Sequence, residues 1–114
     1  MDKDFFLFQK HFKRYQKLFN LLGYRVYFKQ EPIEGEFANI TINQGEMVAT
    51  VRFNSHIPDE DKPNKDIRRS AKHEALHLLI GRLELNGFSR FTSENEISEA
   101  SEELVFKLEE LIDG

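Results

Sequence analysis

Between Lys65 and Leu83 the apolar residues Ile67, Ala71, Ala75, Leu76, Leu78, Leu79, Ile80 and Leu83 surround most of a helical cylinder. A helix that is apolar nearly all round must be buried, so the rest of the chain has to be built around this one. Inside the same run stand His73, Glu74 and His77, in the order His73-Glu74-Ala75-Leu76-His77. Imidazoles in so apolar a helix are costly unless something satisfies them. The two histidines are at i and i+4, so both side chains leave one face about a turn apart.

What surrounds this helix can be read from periodicity. From residue 2 to about residue 22, Phe8, Phe12, Tyr15, Phe19 and Leu22 recur at spacings of four and three. That places them on one helical face, with Lys10, Lys13, Arg14 and Lys17 away from it, and Gly23 is the expected stop. The aromatic stripe is read as core packing rather than a partner-binding face. Three strands are expected next, Tyr24 to Gln30, Glu36 to Asn43 and Met47 to Asn54. Ala38, Ile40 and Ile42 share one face, as do Met47, Ala49, Val51 and Phe53, and Asn43-Gln44-Gly45 signals a tight hairpin. An antiparallel meander follows from this reading. A polar loop, "SHIPDEDKPNKD", leads into the apolar helix, and residues 84 to 93 are read as a connection. A last helix spans residues 94 to 113, with an apolar stripe of Ile97, Leu104, Val105, Leu108, Leu111 and Ile112. Ser93 and Glu96 have the spacing of a capping box at its start. The expected fold class is α+β, one domain over residues 1–114: an N-terminal helix, a three-stranded antiparallel sheet, the histidine helix and a C-terminal helix.

Composition narrows the chemistry. There is no cysteine, so disulfides and thiolate–metal sites are excluded, and any metal must be held by His, Asp or Glu. The net charge of −4 gives no electrostatic footprint for general nucleic-acid binding. No apolar run reaches transmembrane length, and "MDKDFFLFQKHFKRY" is too charged for a secretory signal. The expectation is a soluble cytoplasmic protein without membrane or nucleic-acid partners.

Two imidazoles one turn apart can reach a single tetrahedral ion at about 2.0–2.1 Å. Glu74 points about a quarter-turn away, badly placed as a ligand but able to reach a water on the metal. Zinc acidifies such a water and a neighbouring carboxylate takes the proton, so the five residues supply two ligands and a base. The bland reading, a buried helix with two satisfied histidines, fits the run less well because both fall where an unpaired imidazole costs most.

The motif His73-Glu74-Ala75-Leu76-His77, on a helix after a sheet and before a Glu-rich helix, resembles the zincin superfamily of metallopeptidases. Size and element order resemble its gluzincin side, and small intracellular and phage-type members such as the ImmA/IrrE-like group are the most similar in character. The resemblance covers roughly Glu36 to Leu108. It implies a zinc-dependent hydrolase acting on peptide or protein substrates, with Zn2+ on His73, His77 and a glutamate of the last helix, and Glu74 as general base. It also implies an acid four residues after that glutamate that orients a zinc-bound histidine. Glu99 followed by Glu103 resembles this pattern best, and Glu99, Glu103 and Phe106 share a helical face. Glu102 is the main rival for the ligand, and Glu96 and Glu103 are further candidates. A metzincin is disfavoured, because Ile80 and Leu83 stand where its further motif residues belong. No residue is marked for the oxyanion; His56, Arg90 and Tyr27 are candidates. In zincins an edge strand receives the substrate, and "MVATVRFN" or a neighbour is the candidate here. The competing class is a non-catalytic zinc-containing binding module that docks a partner through Phe8 and Phe12.

Overall fold

The structure is a computed structural model and describes residues 3–57, 66–88 and 93–112. Its elements are α1 (Lys3–Leu18), β1 (Arg25–Glu31), β2 (Ala38–Asn43), β3 (Val48–Asn54), α2 (Ile67–Phe88) and α3 (Glu94–Leu111). The class is α+β, as expected.

α1 forms where the aromatic stripe predicts it, and the stripe enters the core from Phe8 to Tyr15, whereas Phe19 and Leu22 lie past the helix end and Leu22 is exposed. Phe8, Phe12 and Tyr15 are fully buried. Phe8 lies 4.9 Å from Phe53 and Phe12 meets Phe28 edge-on at 5.5 Å, so the face that a binding module would have to present is committed to the sheet. The helix ends earlier than Gly23. Asn20 takes a left-handed φ of 59°, and the Leu21 amide donates back to the Gln16 carbonyl at 2.8 Å. This is a Schellman-type stop with Asn in the position more often held by Gly.

The sheet corrects the expected meander. β2 and β3 pair antiparallel, but β1 pairs with β3 in parallel and the strand order is β1-β3-β2. β3 is therefore central and β2 is an edge. The chain crosses the end of β3 in the segment between Glu31 and Ala38, which is too long for a tight hairpin. Asn54, 4% exposed, clamps that crossing. Its Nδ2 donates to the carbonyls of Ile33 and Glu36, and its Oδ1 accepts from the amides of Ile33 and His56. Gly35 turns the crossing with a φ of +81°.

The register puts Ala38 beside Phe53, Ile40 beside Val51 and Ile42 beside Ala49, on one face. Val26 and Phe28 join the same rows from β1. α1 and α2 cover that face, and the opposite one carries polar pairs such as Arg52 with Glu31 at 3.1 Å and with Thr41 at 2.8 Å. α2 comes close to β2 at Gly81, where an added Cβ would lie 3.1 Å from Ile42 and 2.6 Å from Gln44 just past the strand.

α2 runs to Phe88, past the expected end near Leu83. Gly87 is tolerated inside it because Ile97 packs straight onto its Cα, a site where a Cβ would be 2.9 Å from Ile97. α3 begins as expected, with the Ser93 hydroxyl accepting from the Glu96 amide and donating to the Glu96 carboxylate. Its buried side coincides with the apolar stripe only in part, at Val105 and, half-buried, at Ile97, Leu108 and Ile112. Ser101, Val105 and Glu109 are buried, whereas Leu104 and Leu111 are exposed. Residues 58–65, most of the expected polar loop, and residues 89–92 lie outside the described residues.

Candidate metal centre

α2 and α3 lie antiparallel. Gly87 faces Ile97, Glu84 meets Ser101, His77 meets Glu102, and His73 meets Phe106 and Glu109. This register decides which glutamates reach the histidines. His73, His77 and Glu102 bring three ligand atoms within 4.8 Å of one another, a group that could hold a metal ion.

The distances fit a single ion. The two Nε2 atoms are 3.3 Å apart and His73 Nε2 is 3.6 Å from Glu102 Oε2. Two ligand atoms of a tetrahedral zinc at about 2.0–2.1 Å are about 3.3–3.4 Å apart. The contact of 2.6 Å between His77 Nε2 and Glu102 Oε1 is a hydrogen bond rather than an edge of such a tetrahedron. Two imidazoles and one carboxylate are also the donor set of catalytic zinc sites with one open position.

Glu109 orients the cluster. It is 4% exposed, accepts from His73 Nδ1 at 2.7 Å, and is itself gripped by the guanidinium of Arg69. A carboxylate can only accept, so the His73 proton sits on Nδ1 and the Nε2 lone pair faces His77 and Glu102. Phe106 lies against the His73 ring, 5.2 Å between centroids. Burial holds the His77 imidazolium unfavourable, with the Glu102 charge opposing it. The neutral ring is the form that binds metal.

Glu74 opens onto the same cleft, a cavity of about 760 Å³ between β2 and the α2–α3 pair. Only 7% of it is exposed. Burial pushes its carboxyl up to about 8, aided by the charges of Glu36, Glu102 and Glu109. A nearby cation would draw it back to the carboxylate form.

The expected Glu99 is not among the residues brought together. It is exposed and lies one turn closer to the start of α3, level with the stretch of α2 beyond His77. Among the described residues, the group that could hold a metal includes Glu102, the rival named above, and not Glu99. Glu103 points to solvent, where Lys107 at 2.8 Å holds its carboxyl below the ordinary range. The orienting acid is Glu109. The signal for it was the spacing Glu102, Phe106, Glu109, four then three, which puts the three on one helical face. His56 is exposed and bonded to Ser55, and Tyr27 sits on β1, at the edge away from the cleft. Arg90 lies outside the described residues. β3 is internal, so the strand that borders the cleft is β2. No helix among the described residues is long and apolar enough to cross a membrane.

No family model matches the sequence, and no curated relative does. Among solved structures the chain is similar to the crystal structure of the metallopeptidase zymogen of Methanocaldococcus jannaschii jannalysin, at 17% identity and a TM-score of 0.43, covering 89% of each chain. Nothing in these comparisons points to the ImmA/IrrE-like group.

Proposed function

We propose that this chain is a zinc-dependent peptidase working in the cleft between β2 and the α2–α3 pair. One observation carries the reading: His73, His77 and Glu102 converge at bonding distance while the buried Glu74 opens onto the same cavity. Held by those three side chains, a zinc ion would supply Lewis acidity, polarising a carbonyl and acidifying water.

The protein's own groups then have distinct tasks. Glu109 keeps the His73 proton on Nδ1, so the ring needs no change of tautomer to offer Nε2. His77 offers Nε2 when its proton no longer bridges to Glu102. A Glu74 carboxylate oxygen accepts the proton of the water that attacks the peptide carbonyl. It returns that proton to the departing amine nitrogen. The positive charge of a bound zinc would favour the carboxylate form that this role needs, against the burial that raises the group in the metal-free chain. β2 is a sheet edge, so its outer backbone groups are free to pair with an extended peptide by strand addition.

The test is metal content and turnover together. Protein purified without chelator should carry about one zinc per chain, lost in His73→Ala. Glu74→Gln should keep the metal and lose cleavage of a peptide mixture. Turnover by Glu74→Gln would remove Glu74 as the base, and a metal-free chain after zinc is offered at neutral pH would remove the whole reading.

A further inference from the structure

Beyond His77 the cleft continues toward the end of α2. Its walls there are mostly apolar, formed by Ile42 of β2 and by Leu85 and Phe88 of α2, with the Gln44 amide beside them. One carboxylate, Glu84, is set among them. It lies seven residues past His77, on the same helical face and about 10 Å further along the axis. Ser101, 8% exposed, donates to Glu84 Oε2. That bond fixes the carboxylate and leaves Oε1 for another donor. Glu84 is in none of the ion pairs among the described residues.

An apolar slot with a fixed carboxylate suits a long aliphatic stem ending in a cation. The rest of the cleft agrees. Glu36 and Asp66 also line it, and its one lysine or arginine among the described residues, Arg69, is engaged by Glu109. Such a lining attracts cations and repels acidic side chains. The reach is sufficient. A lysine stem extends roughly 6 Å from Cα, the Cα next to the reacting carbonyl lies about 1.5 Å from its carbon, and a charge-assisted hydrogen bond adds about 2.8 Å. A side chain next to the reacting carbonyl thus spans the distance from the histidines to Glu84.

Resting on the peptidase reading above, we propose that the cleft selects peptides carrying a lysine or arginine beside the bond to be cut, with Glu84 pairing the cationic head. The experiment uses the zinc-loaded full chain and peptides identical except for one residue, which is lysine, arginine, norleucine or glutamate. That residue is scanned through the positions flanking the cleaved bond. The lysine and arginine peptides should exceed norleucine in kcat/KM by about ten- to a hundredfold, a ratio that falls to within about threefold in Glu84→Gln. Glu84→Lys should turn the preference toward the glutamate peptide. An unchanged ratio in Glu84→Gln, or no preference for a cation at any position, overturns the proposal. If no peptide is cut, the peptidase reading fails separately, and the same peptides are compared by fluorescence anisotropy for binding. Tighter binding of lysine than norleucine that depends on Glu84 upholds the selectivity; equal binding, or none, overturns it.

Discussion

Replacing Glu74 by Gln in the metal-free protein isolates the cost of burying one carboxyl in the cleft. Glu74 is raised from 4.5 to about 8, with burial as the leading cause. Between those values the folded state keeps a proton that the unfolded chain releases. Stability from this group is therefore fully present below the lower value and is lost as pH rises through the upper one. Each unit is about 1.4 kcal/mol, so wild type should lose roughly 2–3 kcal/mol relative to Glu74→Gln between about pH 5 and pH 7. Gln keeps the shape and never ionises, and groups that titrate in both proteins cancel in the comparison. Urea unfolding of chelated wild type and variant across that range measures it. The variant should be the more stable by a margin that widens with pH, and added zinc should shrink the margin by favouring the carboxylate. A margin flat to within about 0.5 kcal/mol would mean that Glu74 is ionised and solvated, and the low-dielectric cleft would be refuted.

Calorimetric titration with zinc should rank three glutamates of α3: Glu102→Gln loses more than about 100-fold in affinity, Glu109→Gln about 10–100-fold, and Glu99→Gln almost nothing. Loss of zinc in Glu99→Gln alone would restore the sequence-based assignment. Asn54→Ala removes every side-chain bond that clamps the β1–β2 crossing. It should cost about 3 kcal/mol in urea unfolding, because the crossing's buried backbone groups are left unpaired; a cost below about 1 kcal/mol would show that the crossing holds itself.

What the sequence determined by itself is what depends on near neighbours. His73 and His77 share a face because four residues make about one helical turn, whatever packs against them. The α1 stripe from Phe8 to Tyr15 and the Ser93 cap are local in the same sense, and both stand where periodicity and spacing put them. Strand identity was also legible, from alternation. Strand order was not, since nothing in the alternation of β1 distinguishes pairing with β2 from pairing with β3. That choice rests on contacts between segments distant in sequence, the β1–β3 ladder and the Asn54 clamp on the crossing.

The acidic members of the cluster were likewise beyond local reading. Glu99 and Glu102 differ by one turn, and only the antiparallel register of α2 against α3 tells which of them stands opposite His77. That register depends on α2 continuing to Phe88 and on Ile97 seating against the bare Cα of Gly87. The same packing turns Glu109 inward and leaves Leu111 exposed, contrary to the apolar stripe. A hydrophobic pattern reports the average preference of a face for water. Here one imidazole and one guanidinium on α2, those of His73 and Arg69, offset the cost of burying the Glu109 carboxylate, a compensation that exists only once the two helices have met.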